Sequence, residues 1–244
     1  MTASSMISVT RTMGGAPAAW NIDDAAGKLR WRATLAGAST YDRAANLLRV
    51  LQAGGVEAFD LLPLALPASW MVNARATSRA MQRWLSPAKE DAWRALLDGI
   101  GADLSLEDWL ALSGAEREGC ARAVQALATG HDGESLVAVT KVLALLRPQI
   151  VPLMDDAALW FALELVAEPQ AADRPSASPA AFVPMLDWFA RQVITGEKAL
   201  IELSAQHDLA ILDAAQTLDR LLWMESWGNK LRAQAPLSST GMAP

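Results

Sequence analysis

The sequence predicts an all-α protein, an orthogonal multi-helix bundle of about nine to eleven helices with no substantial β-sheet. Apolar residues recur along it at i, i+3, i+4 and i+7, and Ser, Pro and Gly stand where such stripes begin and end. No stretch alternates polar and apolar residues with the β-branched enrichment of a strand. A chain of 244 residues, 52% hydrophobic and 20% charged, has enough apolar side chain for an ordinary core.

Residues 1–20 read as a flexible lead-in and 21–168 as the main helical body. The first well-marked helix opens after Ser39 or Thr40 and buries Ala44, Leu47, Leu48 and Leu51, with Gly54 and Gly55 as its stop. Val56 to Leu62 is a short apolar piece that Pro63 and Pro67 should break. A helix over Asn73 to Leu85 follows, with Thr77, Met81, Trp84 and Leu85 on its inner face. Ser86 before Pro87 starts the next, which carries Trp93, Leu96, Leu97 and Ile100 inward. Ser105 to Asp108 and Ser113 to Glu116 both have the spacing of a capping box, so each should open a helix.

From Glu134 to Leu146 the stripe Leu136, Val139, Leu143 and Leu146 gives another helix, stopped by Pro148. An extended Gln149 to Met154 then leads to Asp155, Asp156 and a strongly apolar helix. Residues 169–180 hold Pro169, Pro175 and Pro179 among polar residues and read as a loop. Residues 181–234 supply C-terminal helices packed back on the body, with a break near His207 and Asp208, and 235–244 is a frayed tail. The ten Trp residues at helical spacing read as large core filler.

Composition excludes several function classes. One cysteine, Cys120, cannot form an internal disulfide, and the first residues lack the features of a signal peptide, so a cytoplasmic protein is expected. No apolar run reaches the roughly 20 residues of a membrane span. The net charge of −6 opposes general nucleic-acid binding. Phosphate-cradling glycine loops, zinc-ligand spacings and a serine nucleophile elbow are all missing, so no metal or cofactor is expected. Arg75, Arg79 and Arg83 recur every four residues and line one helix face that could grip an anionic partner.

The most specific stretch is Thr140 to Asp156, TKVLALLRPQIVPLMDD. It resembles the segment of helix-hairpin-helix DNA glycosylase-like proteins in which an apolar, proline-containing turn leads to an aspartate at a helix start. It is especially similar to an uncharacterised all-α bacterial family distantly related to them. The glycines of the hairpin are replaced here by Glu134 to Val139, so phosphate-backbone binding is not implied. The resemblance does imply that Asp155 or Asp156 stabilises positive charge on a sugar as an N-glycosidic bond breaks, a task that needs no metal. Lys141, Arg147 and Trp160 make up the candidate ligand-binding set. Capping a helix start is the competing role for either aspartate. Two functions stay open at this level: an enzyme acting on a small nucleoside-like ligand, and a non-catalytic helical interaction or regulatory protein with a protein partner. Oligomeric state cannot be read from the chain.

Overall fold

The computed structural model describes residues 6–9, 18–33, 36–72, 74, 76–153, 177–206 and 213–234. Among these, ten α-helices carry the fold. They are α1 (Ile22–Ala33), α2 (Ala36–Ala53), α3 (Leu62–Ser69), α4 (Ser78–Trp84), α5 (Pro87–Gly99), α6 (Leu106–Ala111), α7 (Gly114–Leu127), α8 (Leu136–Leu146), α9 (Phe182–Gln206) and α10 (Ala214–Gln234). The all-α expectation holds, with one small addition. Met6–Val9 (β1) pairs antiparallel with Ala18–Asn21 (β2) in a two-stranded ribbon, with Ile7 opposite Trp20. The ribbon lies within the segment expected to be a loose lead-in. Ile7 is buried, and β1 packs on α9, so contact with the helical body orders a strand that its short sequence does not announce.

At the centre lies α8. All eleven of its residues are buried, including Thr140 and Lys141, and α2, α3 and α7 pack around it. The predicted stripe captured only part of this, because a helix enclosed on every side needs no polar face. Ser135 caps it by accepting a hydrogen bond from the Ala138 amide at 3.2 Å. The pair α5 and α7 forms one flank, and α9 with α10 forms the other, with α6 and β1 on α9 and α1 on α10. Trp84, Trp93 and Trp109 are fully buried, as core filler should be, and Trp84 meets Trp93 edge to face at 5.9 Å.

Both capping boxes form. The Ser105 hydroxyl accepts from the Asp108 amide at 3.0 Å while the Asp108 carboxylate accepts from the Ser105 amide at 3.1 Å, and Ser113 and Glu116 repeat the exchange. Several expectations differ. Helix α2 starts at Ala36, before Ser39 and Thr40, and Leu47, placed in its buried stripe, is exposed because it lies about 100° round the helix from the buried Leu48. Leu85 and Trp70 are likewise exposed rather than inward. Pro63 and Pro67 do not break the chain into a short extended piece: Pro63 sits in the first turn of α3, where no helical N–H is needed, and Pro67 lies late enough to remove a single bond. Thr77 is exposed rather than inward, since its hydroxyl caps α4 by accepting from the Ala80 amide at 3.2 Å. Helix α1, unmarked in the sequence, buries Ala25, Ala26 and Leu29, a stripe too small to stand out.

Candidate functional site

Arg147 ends α8 and organises the turn beyond it. Its side chain is buried, with Nε donating to the Ile100 carbonyl at 2.6 Å, Nη1 to Gln52 Oε1 at 2.5 Å and to the Leu146 carbonyl at 2.9 Å. The guanidinium thus caps the last carbonyls of α5, where the helix dipole is negative, and reaches the end of α2. Burial pushes its pKa below the usual guanidinium value, while Asp98, Glu57 and Asp103 act the other way. The Arg147 carbonyl in turn accepts from the Ile150 and Val151 amides, which folds 147–151 into a tight turn, and Gln149 Nε2 holds the Ala102 carbonyl at 2.8 Å. Arg147, named as a ligand-binding candidate, directs its hydrogen bonds into the chain and fixes the path of the segment that leads towards Asp155.

Lys141 is only 4% exposed in the middle of α8, and the Tyr41 hydroxyl donates to its carbonyl at 3.3 Å. Asp155, Asp156, Trp160 and Arg75 lie outside the described residues. Of the arginine row, Arg79 is exposed, whereas Arg83 donates to Glu134 at 2.7 Å and to Asp132 at 2.9 Å. Those two carboxylates raise the pKa of Arg83 by their hydrogen bonds. They hold the turn at Asp132, whose φ of 51° is left-handed. Lys141 lies mid-helix in α8 and Arg147 at its C-terminal end, six residues apart, so the structure does not join them into one site, and Arg79 and Arg83 of α4 form a separate group.

Two pockets flank the 148–153 segment. The larger, about 340 Å³, is lined by the turn before α6, by Val193, Ile194 and Glu197 of α9, by Asp213 to Ala215 and by Gln149. The smaller is lined by Tyr41, Asp42, Asn46, Pro148, Val151, Leu153, Gln216 and Arg220, among others. Both lobes take walls from 148–153 and from the start of α10, but no residue lines both, and the smaller, about 30 Å³, has room for little more than a water molecule.

Asp213 stands on the wall of the larger lobe, at the start of α10. Its Oδ1 accepts from the Gln216 amide at 2.7 Å, which caps α10, and Asp213 carries neighbouring positive charge from Arg49 and Arg220. Although the residue reaches solvent, desolvation of its carboxyl outweighs those influences and raises the pKa. Arg220 pairs with Asp42 at 3.0 Å and is 13% exposed, and its buried Nη1 has no hydrogen-bond partner. Sequence reasoning missed Asp213, Arg220, Asp42 and Tyr41. The expected break near His207 and Asp208 agrees with the end of α9 at Gln206, but Asp213 followed three residues later by Gln216, a cap signature for the start of α10, was not recognised.

The fold defines an all-α protein with a pocket of about 340 Å³ beside the turn that the buried Arg147 holds. The family of unknown function DUF6308 matches residues 32–226, and the chain belongs to that family. The described lining of both lobes falls inside the matched span, and the β-ribbon falls outside it. No curated protein and no solved structure matches the chain.

Proposed function

We propose that this chain is an enzyme acting on an N-glycosidic or similar bond of a small nucleoside-like ligand bound in the larger lobe. The observation that carries the reading is Asp213, a carboxyl with a raised pKa on the wall of a pocket of about 340 Å³. A volume in this range suits a small organic ligand, and an acid held closer to its protonated form can give a proton to a departing base nitrogen. The bond from sugar to base breaks, the base leaves with the electron pair and takes that proton, and water adds its oxygen to the sugar carbon while giving up a proton that restores the Asp213 acid. Asp155 or Asp156 supplies the negative charge that steadies the cationic sugar in between. The likeness of residues 140–156 to helix-hairpin-helix glycosylases supports the bond type.

Incubation of the purified protein with ribo- and deoxyribonucleosides, followed by chromatography for free base, tests this. Turnover that Asp155→Asn or Asp156→Asn abolishes, one variant far more than the other and without unfolding, is the expected result. Absence of base release from every nucleoside overturns the proposal. A second reading, a non-catalytic interaction protein, is favoured by the outer face of α2, where Leu47 is 56% and Val50 68% exposed beside exposed Arg43 and Arg49.

A further inference from the structure

Charge around the larger lobe narrows the ligand further. Four carboxylates line it, from Asp103, Glu107, Glu197 and Asp213, and among the described residues no Lys, Arg or His does. Phosphate groups are ordinarily met by basic side chains or by the free N–H groups of a helix start. Two helices begin at this lobe, and each start already holds a carboxylate of the chain itself. At α6 the Asp108 carboxylate sits on Ser105, whose hydroxyl and amide hydrogen bonds push its pKa down, so it stays charged. At α10 Asp213 occupies the Gln216 amide. The walls between the carboxylates are apolar, from Leu104, Leu106, Val193 and Ile194.

We infer that the larger lobe selects nucleosides that carry no phosphate, neutral or protonated on the ring, and rejects the corresponding nucleotides. The inference rests on the proposed function and adds to it the charge class of the substrate. A phosphate dianion in this lobe is repelled by the carboxylates of Asp103, Glu107 and Glu197, on the side away from the Arg49 and Arg220 charges that act on Asp213, whereas a base that gains a proton on leaving is drawn in.

Titration calorimetry of the full chain with adenosine, cytidine, guanosine and uridine, each against its 5′-monophosphate, tests the selection. At low ionic strength at least one nucleoside should bind, and its monophosphate should bind at least about tenfold more weakly. The gap should narrow in the double variant Glu107→Gln, Glu197→Gln, whose exposed side chains can change without disturbing the core. Equal or tighter binding of the monophosphate overturns the charge selection and leaves the nucleoside reading in place. A gap that the double variant leaves unchanged also overturns it, since the carboxylates would then not be its cause. Binding of neither series removes the proposed function and the selection together.

Discussion

At the end of α8 a single cation, Arg147, satisfies carbonyls from α5 and α8 and a side chain from α2. Removing it leaves buried acceptors with no donor, so Arg147→Ala should lower the unfolding free energy in urea by about 3 kcal/mol. Arg147→Lys should recover little of this, because an ammonium is a compact charge without the planar fork that reaches several acceptors at once. Asp213 poses the opposite electrostatic problem. Its pKa is raised in the fold, so its contribution to stability is fully present below the ordinary carboxylate value and is lost as pH rises through the raised value. Asp213→Asn keeps an oxygen for the Gln216 amide and cannot ionise. Its melting temperature relative to the parent chain should therefore climb from acid to neutral pH. A constant offset across that range would assign Asp213 to capping alone.

Helix starts and one helix contact govern the next scale. Asp108 and Glu116 have lowered pKa values because they accept hydrogen bonds from Ser105 and Ser113. Their contribution is present above the ordinary carboxylate values, about 3.9 and 4.3, and is lost as pH falls through the lowered ones. Ser105→Ala and Ser113→Ala should each cost about 1 kcal/mol at neutral pH and less at pH 2, measured by denaturant melts at both. The contact between α5 and α7 is as tight as side chains allow: a Cβ added to Gly99 would meet Cys120 Sγ at 2.6 Å. Gly99→Ala should destabilise by roughly 1–3 kcal/mol through overpacking, and Cys120→Ala in the same chain should restore part of the loss. Additive losses in the double variant would show that the two residues do not compete for one space.

On the scale of the whole molecule, the legible parts of the sequence were those set by local chemistry. The capping boxes at Ser105 and Ser113, the start at Ser86 and Pro87 and the Trp core each depend on residues a few positions apart, and each stands where expected. The misreadings came from context. Pro67 is tolerated because α3 ends two residues later, and Ile7 makes a strand only because α9 offers it a surface. The cleft was the least legible part. Gln149 and Asp213 share a pocket although 64 residues separate them in the numbering, and no periodicity records such a meeting. Of the segment singled out from the sequence, 140–156, the described part, 140–153, belongs to the central helix and to walls of both lobes, while the aspartate pair lies outside the described residues.

The enclosure of α8 also sets a clock. Its amides are sheltered on every side by α2, α3 and α7, so no partial fraying of a surface element can expose them to water. In deuterated buffer, α8 should be the last described segment to take up label, at a rate set by opening of the entire bundle. The ribbon at Met6–Val9, anchored through Ile7, should label far earlier. A peptide from 136–146 that labels as fast as the ribbon would mean that the central helix opens separately from the rest.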